Sequence, residues 1–142
     1  MNLVIVFLVV ALAIRPAYAP IPLETWHVHV VNNMGNQMML MVHCKSRDND
    51  LGERNLSPGA EFQWKFKMNF FEKTLFWCYW RPEKGNRHAN FDVFWKDDDL
   101  FYKCNYKNCY WIAKDDGIYL KNIPEEYDEF RHKWEPGSMI TY

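Results

Sequence analysis

The sequence of 142 residues has a formal net charge of −1, with 25% charged and 18% aromatic residues. Because broad nucleic-acid binding requires a net basic surface, this near-neutral chain does not fit that class of protein. Aromatic side chains favour pleated, half-buried surfaces, so the composition indicates an all-β fold.

The first 19 residues predict a cleaved secretory signal peptide. Leu3–Ile14 is an apolar run of 12 residues, shorter than the roughly 20 residues of a membrane-spanning helix. The small-x-small sequence Ala17-Tyr18-Ala19 that follows it suits signal peptidase. No basic residue precedes the run, so a buried strand or a membrane anchor is the alternative interpretation. Cleavage after Ala19 leaves residues 20–142 as one secreted domain, for which we expect no membrane insertion.

Alternating apolar residues predict a series of short strands after the signal peptide. In the first strand, Trp26, Val28 and Val30 share one face. The next runs over Met38–Cys44 and begins with apolar residues on both faces. After a polar loop, Phe62–Met68 alternates strictly between apolar and polar residues, which predicts one buried and one solvated face.

The second half of the chain continues this pattern. Thr74–Arg81 is apolar on both faces, so it predicts a strand in the middle of a sandwich. Residues 91–95 mark a further strand. We expect a hairpin of two strands at Leu100–Cys104 and Cys109–Ala113, followed by a tight Asp-Gly turn within Lys114–Gly117.

Two structures fit the tail. Tyr127, Phe130 and Trp134 are spaced as on a helix, and Pro124 ahead of two acids suits a first helical turn. An extended strand also fits. Taken together, the segments predict a small disulfide-stapled β-sandwich of about seven to nine antiparallel strands, with or without a short C-terminal helix. An OB-like barrel is the alternative architecture.

The four cysteines predict two disulfides in a secreted domain. They are Cys44, Cys78, Cys104 and Cys109. Their gaps do not match the paired ligand spacing of a zinc site. We favour the pairs Cys44–Cys109 and Cys78–Cys104, and Cys104–Cys109 across the expected hairpin remains open as the alternative.

No cluster of residues predicts a metal or a cofactor. His27 and His29 share one strand face, but no carboxylate or cysteine of ligand-like spacing accompanies them, so an exposed strand face is the simpler interpretation. The segment from Asp48 lacks the Gly and Glu of an EF-hand calcium loop at the required positions, which favours a polar turn. The one N-glycosylation sequon begins at Asn55, and Pro58 directly after it disfavours its use.

A secreted hydrolase or ribonuclease is the alternative function. Such an enzyme would bring the dispersed His43, His88 and His132 together with an acid or a lysine. No local pattern supports this arrangement.

An ordered set of motifs runs from Trp26 to Tyr119. It comprises Val28-His29-Val30-Val31-Asn32, Leu40 to His43-Cys44-Lys45-Ser46, Asp48-x-Asp50-Leu51-Gly52, Phe62-x-Trp64-x-Phe66, Thr74-Leu75-Phe76-Trp77-Cys78, Cys104 with Cys109-x-Trp111, and Asp116-Gly117-Ile118-Tyr119. With the signal peptide and the four cysteines, this set resembles the plant self-incompatibility S-protein family of poppy-type stigmatic S-proteins and S-protein homologues. The resemblance implies a secreted β-sandwich with two disulfides. It also implies a non-enzymatic ligand, which in the poppy-type system meets a pollen membrane partner and triggers rejection of self pollen.

The candidate binding residues lie in polar loops between clearly predicted strands, since rigid scaffolds place binding residues on their loops. These residues are Arg47, Asp48, Asp50, Glu83, Lys84, Arg87, Asp97, Asp98 and Asp99. We expect a secreted monomer that uses them to bind an unidentified cell-surface membrane receptor, without nucleic acid, metal or cofactor.

Overall fold

The structure, a computed structural model, describes residues 24–68 and 73–138. The predicted signal peptide, residues 1–19, lies outside them. The elements are β1 (Thr25–Asn32), β2 (Leu40–Ser46), β3 (Asp50–Leu56), β4 (Glu61–Lys67), β5 (Phe76–Pro82), β6 (Arg87–Phe94), α1 (Asp98–Lys103), β7 (Asn108–Lys114), β8 (Gly117–Asn122), β9 (Tyr127–His132) and β10 (Glu135–Pro136).

The strands form two five-stranded sheets. Sheet I has the order β4-β1-β7-β8-β9, and sheet II has the order β10-β6-β5-β2-β3. This confirms the predicted all-β, disulfide-stapled fold, and residues 24–68 and 73–138 form ten strands where about seven to nine were predicted. Strand pairs are antiparallel except β1 with β7, which run parallel. The expectation of antiparallel pairing is wrong there, because the chain crosses from sheet II to sheet I through α1 and enters β7 in the direction of β1.

The core lies between the two sheets and contains the residues that the alternation predicted. Trp26, Val28 and Val30 are all at most 2% exposed. The predicted central strand is β5, which lies between β6 and β2. Near the centre, the indole Nε1 of Trp111 on β7 donates a 2.8 Å hydrogen bond to the carbonyl of Val93 on β6. This bond joins the two sheets inside the core.

Helix α1 stands where the sequence predicted a strand at Leu100–Cys104. Asp97 caps the helix by accepting a 3.0 Å hydrogen bond from the Leu100 amide. Two further aspartates in the first turn suit the positive end of the helix dipole. The strand prediction is therefore wrong because the capping acids outweigh the short apolar run. No helix within the described ranges is long and apolar enough to cross a membrane.

The tail forms strand β9 and not a C-terminal helix. Strand β9 pairs antiparallel with β8, so it satisfies the backbone groups that β8 would otherwise present at an open sheet edge. Tyr127 and Phe130 are 47% and 50% exposed. Because they lie three positions apart on a strand, their side chains point to opposite faces and do not form the apolar stripe of a helix.

The disulfides are Cys44–Cys78 and Cys104–Cys109. The favoured pairing of Cys44 with Cys109 and Cys78 with Cys104 is wrong, and the alternative that was left open is correct. Cys44 and Cys78 lie directly opposite each other on β2 and β5. Cys109 starts β7 in the other sheet, where it meets Cys104 across the turn that follows α1.

A buried asparagine holds the two connections that cross between the sheets at one end. Asn32 is 0% exposed. Its Nδ2 donates to the carbonyl of Met38 at 2.8 Å and to that of Leu56 at 2.9 Å, and its Oδ1 accepts from the Met34 amide at 3.1 Å. Its backbone amide donates to Ala60 at 3.0 Å. One side chain therefore ties β1 to both the β1–β2 and the β3–β4 connections.

Replacing Asn32 should destabilise the protein strongly. Asn32→Ala leaves buried carbonyl groups without donors, so we expect a loss of about 3 kcal/mol in the free energy of unfolding. Urea denaturation followed by tryptophan fluorescence measures it. Asn33→Ala, at the exposed neighbouring position, is the matched control and should change stability by less than about 0.5 kcal/mol. Equal urea midpoints for the two variants would contradict this role.

Mass spectrometry of the unreduced protein should confirm the disulfide pairs. After denaturation, trypsin cleavage beside Lys103, Lys107 and Lys114 should yield the peptides 104–107 and 108–114 joined by one disulfide, because Cys104 and Cys109 are paired. Reduction should separate the two peptides. Linkage of either peptide to one containing Cys44 or Cys78 would refute the pairing.

Candidate functional site

The loops of the sandwich gather at its two ends. Ser46 pairs with Phe76, and Phe76 pairs with Phe94, so the β2–β3 loop and the β6–α1 connection lie at one end, here called the helix end. Leu40 pairs with Pro82 at the opposite end, where the β5–β6 loop lies. The three predicted binding loops therefore do not form one site, since two share the helix end and the third lies across the molecule.

A groove of about 670 Å³ opens at the helix end between the β2–β3 loop and the start of β5. Three cationic residues, Arg47, Lys67 and Lys73, line it. The other lining residues are Ser46, Asp48, Asn49, Phe66, Thr74, Leu75, Phe76 and Trp77. This helix-end groove combines cationic groups with an aromatic wall, and it contains the predicted Arg47 and Asp48.

The loop that forms one wall of the groove is held by its own hydrogen bonds. The Ser46 amide donates to the Asn49 carbonyl at 2.8 Å, and the Asn49 amide donates to Ser46 Oγ at 3.2 Å. The Cys44–Cys78 disulfide joins β2 to β5 directly below it. These bonds thus hold the backbone of this wall in place, while the side chains of Arg47 and Asp48 remain exposed.

Asp50, another predicted binding residue, has an internal structural role. Its Oδ1 accepts from the Gly52 amide at 2.8 Å and lies 2.6 Å from His43 Nε2. The hydrogen bond from the Gly52 backbone, followed by that from His43, lowers the pKa of Asp50. Gly52 has φ of +82°, a conformation in which glycine carries no side-chain strain. These contacts end the loop and place the first residues of β3.

Two of the three consecutive aspartates at the start of α1 also serve the fold. Asp97 caps the helix, and the Asp99 carboxylate lies 2.8 Å from Lys103 Nζ one turn along it. Asp98 is exposed. Its predicted role in binding stays a prediction.

The loop at the opposite end is tied to its neighbours. The Glu83 carboxylate accepts from the Met39 amide at 3.2 Å. The Arg87 guanidinium donates to the Asp115 carbonyl at 2.9 Å and lies over the Trp134 ring at 5.4 Å. These bonds hold adjacent connections together. Lys84 is exposed at the loop tip, and its binding role stays a prediction.

The sequon residue Asn55 is exposed on the edge strand β3. It lines a depression of about 680 Å³ at the opposite end together with Met39, Met41 and Arg81. The expectation that this sequon is little used stays a prediction.

His29 is not the exposed strand residue that the sequence suggested. It is 7% exposed, its Nδ1 lies 2.7 Å from Glu61 Oε2, and its Nε2 lies 2.9 Å from Asn108 Oδ1. The Tyr110 ring stacks on it at 4.1 Å between ring centroids. Residues of the neighbouring strands cover the imidazole, which alternation along one strand does not reveal. Within residues 24–68 and 73–138, no group of three or more His, Cys, Asp or Glu is placed to hold a metal.

The three dispersed histidines do not converge. His43 and His88 point away from the core, because the buried positions of β2 and β6 are their neighbours along each strand. The His132 ring packs on Phe91 at 3.8 Å between centroids, on the inner side of sheet II. The sheet thus separates His132 from the other two, and the described residues do not form the three-histidine hydrolase site.

Comparisons with known proteins agree with this geometry. The family described as "Plant self-incompatibility protein S1" matches residues 27–134. S-protein homolog 1 of Arabidopsis thaliana is 45% identical over 115 residues, which cover 81% of this chain and 75% of that protein. Self-incompatibility protein S1 of Papaver rhoeas is 32% identical over 92 residues, 65% of each chain.

A solved structure shares the fold. It belongs to a self-incompatibility protein homologue, described as one of "a widespread family of small, highly stable, secreted proteins from plants". It matches with a TM-score of 0.58 at 20% sequence identity, covering 80% of this chain and 96% of that one. The likeness therefore concerns the fold.

His132 should make the stability of the protein depend on pH. Burial, with a smaller contribution from Arg131, lowers the pKa of His132 below its ordinary value of 6.5. The unfolded chain therefore takes up a proton before the folded protein does. This histidine stabilises the fold fully above its unfolded pKa, and that contribution is lost as the pH falls through the unfolded and then the folded pKa.

Urea midpoints measured from about pH 7 down to about pH 5 test this expectation. His132→Phe keeps a ring against Phe91 and should flatten the pH dependence. Lys133→Gln, at the exposed neighbouring position, should retain it. A slope unchanged in His132→Phe would refute the assignment.

Proposed function

The chain belongs to the plant self-incompatibility protein S1 family of small secreted plant proteins, and on that premise we propose that it is a non-enzymatic signalling ligand acting between cells. Its partner is a cell-surface membrane receptor, and the response is rejection of self pollen or a related signal. The observation that carries this proposal is the helix-end groove, with its braced wall and its exposed Arg47.

Preorganisation supports a role in recognition. The β2–β3 loop forms one wall of the groove, and the segment entering β5 forms the other. The Cys44–Cys78 disulfide connects the strands from which both walls extend. Because hydrogen bonds hold the β2–β3 wall before a partner arrives, binding there costs less conformational entropy.

The side chains of the groove suit a protein partner. Arginine and tryptophan are enriched among the residues that dominate binding energy at interfaces, and the groove contains Arg47 and Trp77. Lys67 and Lys73 add positive charge against the single carboxylate of Asp48. An acidic surface on the receptor would complement this groove and speed its association.

The alternative of a hydrolase receives less support. Acid–base catalysis requires groups that exchange a proton near neutral pH to lie within reach of one reacting atom. The titratable groups of the groove are one aspartate, one arginine and two lysines. His132 is on the far side of sheet II from His43 and His88.

Charge reversal in the groove tests the proposal. The double variant Arg47→Glu with Lys73→Glu should weaken binding of labelled protein to protoplasts of the source plant by about tenfold or more, because steering and contact are both lost. The control pairs Arg81→Glu with Lys133→Glu, which makes the same charge change at exposed positions outside the groove. Both variants should keep the wild-type urea midpoint.

Binding that survives in the groove variant, or that falls equally in the control, would place recognition elsewhere. Protoplasts from stigma, root and leaf, assayed separately, identify the tissue that carries the receptor. Binding confined to cells that meet pollen favours self-pollen rejection, whereas binding to root or leaf cells favours a related signalling role.

A further inference from the structure

The outward face of sheet I carries a second charged surface, which adjoins the helix-end groove at Lys67. Lys65 on β4 pairs with His27 on β1, and Lys121 Nζ on β8 lies 5.5 Å from the Tyr110 ring centroid on β7. We call these four residues and Lys67 the lysine face. Since neighbouring strands are about 4.8 Å apart, the lysines on β4 and β8 stand about 14 Å from each other across the sheet.

The positive charge of the lysine face is not neutralised by the carboxylates beside it. Lys114 Nζ lies 2.9 Å from the Asp128 carboxylate and offsets its charge. Glu61, which lies 2.7 Å from His29, is one carboxylate against the three lysines of the face. Lys65, Lys67 and Lys121 are exposed. Among the described residues, no carboxylate lies within ion-pair distance of these three.

The rim of this face, where β1 and β7 begin, has mixed charge. Lys107 is exposed there, as are Glu24 and Glu126. The positive excess therefore belongs to the face itself and not to its rim. It exists although the whole chain has a net charge of −1.

Stacked rings fill the space between the lysines. The His27 and His29 centroids are 6.3 Å apart, and those of His29 and Tyr110 are 4.1 Å apart. Both ring nitrogens of the buried His29 are already engaged by Glu61 and Asn108. The polar ring edges left to a ligand are therefore those of the half-buried His27 and Tyr110. Such edges form hydrogen bonds with hydroxyl groups, whereas acyl chains have no group to bind there.

We propose that the lysine face binds an acidic polysaccharide, specifically the uronate polymers of the plant cell wall. A uronate chain presents carboxylates for the ammonium groups and hydroxyls for the ring edges. The family is secreted, so a member meets the wall polymers as soon as it leaves the cell.

Two other polyanions match the face less well. The outward positions of β4, β1, β7 and β8 include no arginine, the residue whose fork geometry suits phosphate groups of nucleic acids. A membrane-binding surface would present a large apolar face beside its cations.

Binding at one site is weak, but a polymer with many uronates gains avidity when several copies of the protein attach. The interaction would retain the secreted protein in the wall near its source.

The experiment measures binding of the purified protein to immobilised polygalacturonate, with fully methyl-esterified polygalacturonate as the uncharged control polymer. The test variant combines Lys65→Glu with Lys121→Glu. Lys67 stays unchanged because it also lines the helix-end groove. The charge-matched control is again Arg81→Glu with Lys133→Glu, at two exposed positions outside the lysine face.

We expect binding to the charged polymer that weakens with added salt, and no binding to the esterified polymer. The test variant should lose about tenfold or more in affinity, because a local charge pattern and not the net charge attracts the polymer. The control variant should bind as the wild type does. Lys65→Gln with Lys121→Gln should show a smaller loss and a shallower salt dependence.

Several results would overturn the proposal. These are failure of the wild type to bind polygalacturonate, equal losses in the test and control variants, and tighter binding to single-stranded DNA or to vesicles containing phosphatidylserine. The groove variant of Arg47 and Lys73 should keep polysaccharide binding, and the lysine-face variant should keep protoplast binding. The two proposals can therefore fail independently.

Discussion

A single buried carboxamide determines how the two sheets meet at the opposite end of the sandwich. Asn32 ends β1, and its side chain bonds both connections that pass between the sheets there. Its partners are backbone groups, and its bonds to Leu56 and Met34 are buried, so losing the amide would leave buried polar atoms unsatisfied. The first four strands therefore depend on this residue for their relative positions. Their inward faces then create the core into which Trp111 inserts.

The same end is closed by further bonds between loops. Arg87 reaches the β7–β8 turn, the Trp134 indole donates to the Lys114 carbonyl at 2.9 Å, and the Gly137 amide donates to Asn86 at 2.7 Å. Side chains used in this way contribute to stability and are not available to a partner. The helix end has a braced backbone with exposed side chains instead, and sheet I adds a flat charged face. The side chains that stabilise the opposite end of the sandwich thus lie apart from the two surfaces that we propose bind a receptor and a polysaccharide.

The sequence predicted the strand faces well because alternation is a local property. The buried positions of β1 and the central place of β5 followed directly from it. Local reasoning was wrong at Leu100–Cys104, where three aspartates make a short apolar run helical. It was also wrong at His29, whose cover comes from Glu61 and Tyr110 on strands distant in the chain. The predicted loops contained Arg47 and Asp48 of the groove but missed its two lysines. Lys67 belongs to strand β4, and Lys73 belongs to the segment before β5.

By itself, the sequence determined the all-β class, the number of disulfides, the faces of most strands and the resemblance to a family. Only the tertiary structure decided the partners of Cys44 and Cys104, the parallel pairing of β1 with β7, and the positions of the loops. The reason is that pairing, direction and register join residues far apart in the chain, which short-range patterns do not encode. Grooves and charged faces arise at these non-local contacts, so the candidate sites became visible only in the folded protein.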